Sequence, residues 1–101
     1  MNITKNWQTK EIRDFFAVIK SLQNSQEIAA FFRDVATIRE ITEMAARWKA
    51  AKLLNKKISY REIAEKTGLS SATISRVAFW IKSGTGGYQK ALGINQKHHA
   101  P

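Results

Sequence analysis

The residues best suited to chemistry lie between positions 56 and 76. Ser71, Ala72, Ser75 and Arg76, with Thr73 beside them, share one face of the segment "SSATISR". Small hydroxyl side chains can approach base edges in a DNA major groove, an alanine can meet a thymine methyl, and an arginine can fork onto guanine. Arg76 lies deeper in the segment, so a ligand or phosphate role suits it equally. Ser70, Ser71 and the free N–H groups of a helix starting there can hold a phosphate, and Thr73 adds another hydroxyl. Lys56, Lys57, Arg61 and Lys66 stand on either side and can grip a sugar–phosphate backbone. The rival reading is a solvated basic surface around a pair of interaction helices.

These side chains need two helices and a turn to position them. Gly68, between "EKT" and "LSS", suits the position just past a helix end, where φ is positive and a side chain would clash. Ser70 then caps a new helix. Ile63 and Ala64 precede the turn, Leu69 lies within it, and Ile74, Val77 and Ala78 follow it. Ala64 is small where a second helix must cross closely, and Ile74 and Val77 are three apart, facing the first helix. The pattern predicts a helix-turn-helix over about 59–83. "SYRE" is a capping box, with Ser59 answered by Glu62.

Upstream, Ile12, Phe15, Phe16, Ile19 and Leu22 repeat at helical spacing, then Ser25 caps a second helix carrying Ile28, Phe31, Phe32 and Val35. "TIRE" is a further capping box, Thr37 with Glu40, opening a helix with Ile38, Ile41, Met44/Ala45, Trp48, Ala51 and Leu54 along one side. Its outer side is basic, with Arg47, Lys49 and Lys52. "SGTGG" stops the helix-turn-helix, "YQKAL" can form a last short helix, and 93–101 is expected to be a flexible tail. No segment alternates with period two, so the fold class is all-α with about six helices in a single domain, 1–92. The aromatic pairs Phe15–Phe16 and Phe31–Phe32 present more apolar face than a small monomer buries easily, which predicts an intimate homodimer.

Charge narrows the partner. Residues 1–43 hold six basic and six acidic groups, whereas 44–101 hold eleven basic groups against Glu62 and Glu65 alone, so the net +9 belongs to the half carrying the helix-turn-helix. Such segregation predicts a polyanion, here double-stranded DNA. No apolar run approaches the ~20 residues of a membrane span, and charges interrupt any signal-peptide core at the N-terminus. With no cysteine, disulfides and thiolate metal sites are excluded, and a cytoplasmic protein is expected. His98 and His99 have no carboxylate nearby to make a metal site. "GTGG" lacks the strand and the lysine of a nucleotide loop. Glu40 and Glu43 lack a partner for acid–base catalysis, so an enzyme is not expected.

The stretch "SYREIAEKTGLSSATISRVAFWIKSGTGGYQ" resembles the corresponding part of the Trp repressor superfamily, in its YerC/YecD-type, tryptophan-repressor-like branch. The likeness continues upstream through "NSQEIAAFFRDVATIREITEMAARWKAAKLL", covering most of 11–92, and is most specific in "SATISR" and "SGTGGYQ". The resemblance implies a bacterial transcriptional regulator of six helices, an interlaced homodimer whose N-terminal helices mix between chains. It also implies an L-tryptophan corepressor held between the recognition helix and the preceding core helix by two arginines. Arg76 matches the arginine of the recognition helix, and Arg47 falls about one position from the other. Val77 stands where the Trp repressor has glycine, and Trp80 where it has the serine that holds the ligand's amino group. Arg76 and Trp80 are one turn apart, so a guanidinium can lie over the indole. One reading has Trp80 filling the ligand pocket, so that DNA is bound with no cofactor; the other makes Trp80 core at helical spacing. The expected function is a sequence-specific DNA-binding regulator on a two-fold symmetric site, the alternative a protein-interaction module with weak nucleic-acid binding.

Overall fold

Short-range hydrogen bonds from side chain to backbone set where most of the helices begin. The computed structural model describes residues 7–94. Among them are six helices and no strand: α1 (Lys10–Ser21), α2 (Ser25–Val35), α3 (Ile38–Asn55), α4 (Tyr60–Thr67), α5 (Ser71–Ser83) and α6 (Gly87–Leu92). The chain divides into two compact units, 1–41 and 42–101.

In the first unit, the Ile12 N–H donates to Thr9 Oγ1 (3.2 Å) at the head of α1. At α2 the cap is Asn24, not Ser25: the Glu27 N–H donates to Asn24 Oδ1 (2.9 Å), and Ser25 is the first helical residue. Asparagine and serine cap equally well, and starting one residue earlier puts Glu27 at the third helical position, where its carboxylate reaches back and accepts from the Gln23 N–H (2.7 Å). The Thr37–Glu40 box forms in full, with Glu40 N–H to Thr37 Oγ1 at 3.0 Å and Thr37 N–H to Glu40 Oε1 at 2.8 Å. Phe15 lies 5.8 Å from Phe31 and 6.2 Å from Phe32, ring centre to ring centre, within the range of attractive aromatic pairs. Yet neither α1 nor α2 has a single buried residue.

The second unit has a true core. Ala50, Ile63 and Ile74, from α3, α4 and α5, are fully buried, with Leu53, Leu54, Ile58, Ala64 and Leu69 packed around them. Ala51 and Val77 are buried too. The apolar side of α3 is therefore real only towards its C-terminal end; Met44 and Ala45 are exposed. That end closes in a Schellman motif, with Ile58 N–H to Leu53 O (3.1 Å) and Lys57 N–H to Leu54 O (2.9 Å). Lys57 sits at its left-handed position, φ 63°, where glycine is the usual occupant. Gly68 ends α4 at φ 74°, as its neighbours predict, and the Thr67 hydroxyl accepts from the Leu69 N–H (3.2 Å) across the turn. At the end of α5, a Cβ on Gly84 would strike the Trp80 carbonyl oxygen, so glycine is required there. Gln89 Nε2 donates to Ile81 O (2.6 Å) and holds α6 to α5. Of the tail expected at 93–101, Gly93 and Ile94 are described and close α6 through N–H bonds to Lys90 O and Gln89 O; His98 and His99 lie outside the described residues.

Candidate nucleic-acid interface and effector cavity

Ser70 organises the reading face. Its hydroxyl oxygen accepts from the Thr73 N–H (3.1 Å) and the hydroxyl donates to Thr73 Oγ1 (3.0 Å), fixing the first turn of α5. Ser71, Ala72, Ser75 and Arg76 are all exposed on the first two turns of that helix. With the Ser70 side chain engaged in its cap, the anion-binding capacity of this end rests on the backbone N–H groups of Ser71 and Ala72. Lys56, Lys57, Arg61 and Lys66 are exposed as well. Lys66 Nζ lies 3.6 Å from Glu62 Oε2, a solvent-exposed pair. Such a pair is worth about 0–1 kcal/mol and can yield to a phosphate. Glu62 thus turns along its helix towards Lys66, while its N–H keeps the bond to Ser59 Oγ (3.2 Å).

The basic side of α3 is divided among three tasks. Lys49 Nζ donates to Lys66 O (3.5 Å) at the end of α4, and Lys52 lies over the Trp48 ring (5.6 Å). Arg47 reaches a cavity of about 270 Å³ lined by Arg47, Thr73, Arg76, Val77, Trp80 and Tyr88. Arg47, Arg76 and Trp80, the three residues named from the sequence as a possible effector pocket, line this one cavity. Trp80 is one wall of the cavity and does not close it. It is also no core residue: 45% of its surface is exposed, and its indole packs edge-on against Phe79 at 5.0 Å.

Thr73 lines this cavity as well as lying in the first turn of α5, and Tyr88 was not legible as a site residue. Tyr88 arrives only because the glycine turn folds α6 back onto α5; the aromatic after "GTGG" was the available signal. Burial raises the Tyr88 phenol above its ordinary pKa, partly offset by the Arg47 charge, so it stays protonated and able to donate. Among the described residues no group of three metal-ligating side chains occurs, and no helix is long and apolar enough to cross a membrane.

A helix-turn-helix over residues 59–83, followed by a glycine-turned last helix, is the architecture of one known group of regulators. The family model described as "Trp repressor protein" matches residues 10–96. The chain belongs to the Trp repressor family. It is 40% identical over 83 residues to the uncharacterized protein YerC of Bacillus subtilis (strain 168), covering 82% of this chain and 80% of YerC. The crystal structure of a TrpR-like protein from Eubacterium eligens ATCC 27750 superposes with a TM-score of 0.83 at 39% identity, over 88% of this chain and 92% of that one. Trp repressor family proteins are DNA-binding regulators, not enzymes.

Proposed function

We propose that the protein is a cytoplasmic bacterial transcriptional repressor that binds a two-fold symmetric DNA site as a homodimer. The observation that carries this is the N-terminal face of α5. Three polar side chains, Ser71, Ser75 and Arg76, and the small Ala72 stand exposed there on a helix whose start is fixed by Ser70. Ser71, Ala72, Ser75 and Arg76 choose the sequence, while Lys56, Lys57, Arg61 and Lys66 set the affinity, with Ser70 and Thr73 holding the turn at the phosphate. Four phosphate-binding cations per protomer, eight per dimer, give a slope of log K against log salt of about −7. The test is fluorescence anisotropy with labelled duplex DNA across a salt series. Lys66→Ala flattens the slope by about 1 for each protomer engaged and weakens all sequences alike. Salt-independent or absent binding at low salt would favour the protein-interaction module instead.

DNA binding proceeds without an L-tryptophan corepressor. The reason is chemical: Trp80 offers an indole where an amino group would need an acceptor, and among the described residues the cavity lining holds no carboxylate, only the Thr73 and Tyr88 hydroxyls as neutral acceptors. Site-built polar contacts, once lost, cost specificity steeply. Adding L-tryptophan should leave the anisotropy titration unchanged, and micromolar L-tryptophan affinity by calorimetry would overturn the point.

A further inference from the structure

The exposed face of α5 carries an aromatic ring that the core does not claim. Ala72, Ser75, Arg76 and Phe79 follow the i, i+3, i+4, i+7 spacing of one helix face, and all four are exposed. At about 100° per residue, Phe79 points roughly 170° away from the midpoint of Ile74 and Val77, which are buried on the other side. At 56% it is the most exposed large apolar side chain among the described residues. The Trp80 indole stands edge-on to it, 5.0 Å between ring centres at 77°, and so limits where the ring can swing. Phe79 lies about 10 Å beyond Ala72 along the helix axis, and a long helical side chain leans back over the preceding turn. The ring therefore covers the level of Ser75 and Arg76, within the ~8.5 Å depth of a major groove entered from the start of the helix.

The surroundings decide what such a ring can meet. Along α5 stand two cations, Arg76 and Lys82, with four hydroxyls and no carboxylate. The exposed apolar residues of the first unit stand instead among Glu11, Asp14, Glu27 and Asp34. A cationic, hydroxyl-bearing face without an acid complements a polyanion. Bases in a duplex are stacked, so the apolar group that a ring can reach in the major groove is the C5-methyl of thymine. We propose that Phe79 is a further specificity-determining residue, meeting a thymine methyl in the major groove beside the base read by Arg76. The inference rests on the regulator reading of α5 and adds to its polar contacts an apolar one. Covering one methyl with the ring is worth about fourfold in affinity per half-site.

The probe is the duplex recovered by selection from random DNA, labelled and titrated by anisotropy, with each thymine in turn replaced by deoxyuridine in both half-sites. Deoxyuridine pairs as thymine does and lacks only the methyl. The wild type should lose about fourfold per half-site at one thymine where Phe79→Ala loses nothing and Phe79→Leu loses an intermediate amount. A thymine met by Ala72 should stay sensitive in all three proteins. The salt slope should not change, since no charge is removed. Phe79→Ala should also sediment as the wild type does. The same uracil cost in wild type and Phe79→Ala at every position would overturn the methyl contact and leave the regulator reading intact. Dissociation of Phe79→Ala would give the ring to a second copy of the chain and sink the proposal as well. Recovery of no enriched duplex would contradict the regulator reading, and this inference with it.

Discussion

Lys57 carries two opposed roles that a single substitution separates. Its backbone is left-handed at φ 63°, a conformation that costs a residue with a Cβ about 1 kcal/mol and costs glycine little. Its ammonium is one of the four cations assigned to phosphate. Lys57→Gly should therefore raise the melting temperature by a few degrees while weakening DNA binding and flattening its salt dependence. Melting and anisotropy on the same sample check both signs, and a lowered melting temperature would contradict the backbone account. Glu40 gives a second residue-level test. The Thr37 N–H, and next the Thr37 hydroxyl, hold its carboxyl below the usual glutamate pKa of about 4.3. A carboxyl depressed in the folded state stabilises it fully above the unfolded pKa and loses that contribution as pH falls through the folded one. Stability measured by denaturant titration should thus fall in acid below about pH 4.3 more steeply for the wild type than for Glu40→Gln.

At the scale of elements, the helix-turn-helix depends on a cap, a glycine and a buried pair. Ser70→Ala removes the acceptor for the Thr73 N–H and should cost about 1 kcal/mol, with DNA affinity falling too, since the same turn presents Ser71 and Ala72. Ile74→Ala empties a fully buried position between α3 and α4 and should cost about 2–5 kcal/mol, read from chemical denaturation. The turn at Gly68, the full box at Thr37 and the cap at Ser59 were legible because their hydrogen bonds span three or four residues; the return half of the Ser59 box is missing because the Glu62 carboxylate faces Lys66 instead. Asn24 displaced Ser25 as a cap because two equally good cappers stood side by side. The Schellman motif at Lys57 escaped the sequence reading since no glycine marks it. Arg47 looked about one position out of register in the sequence, and only the fold brings it into the cavity. Tyr88 depends on α6 folding back across α5, a tertiary event that no local spacing records. Trp80 fitted the helical stripe but stands 45% exposed in the single chain, because its turn of α5 lies beyond the core formed with Ile74 and Val77.

At the scale of the molecule, the two units differ in what they bury. The unit at 42–101 has a core of its own, whereas α1 and α2 leave Phe16, Val18, Ile28 and Val35 exposed with no buried residue between them. Apolar surface of that kind on a small chain is what a second copy covers in an interlaced dimer. The melting temperature should accordingly rise with protein concentration. Val35→Asp, at a position exposed in the single chain, would be nearly neutral in a monomer, within about 0.5 kcal/mol, yet should dissociate or unfold the dimer. Sedimentation of the variant beside the wild type distinguishes these outcomes. In the proposed dimer, the pairing of two reading helices is what would select particular sites, where a single basic surface would bind DNA without preference. The most direct measurement is therefore selection of bound sequences from random duplex DNA. The account predicts an inverted repeat whose half-sites lie one helical turn apart, ~34 Å, a spacing carried over from the Trp repressor and related dimers. Recovery of no enriched sequence, or of a single site without two-fold symmetry, would contradict it.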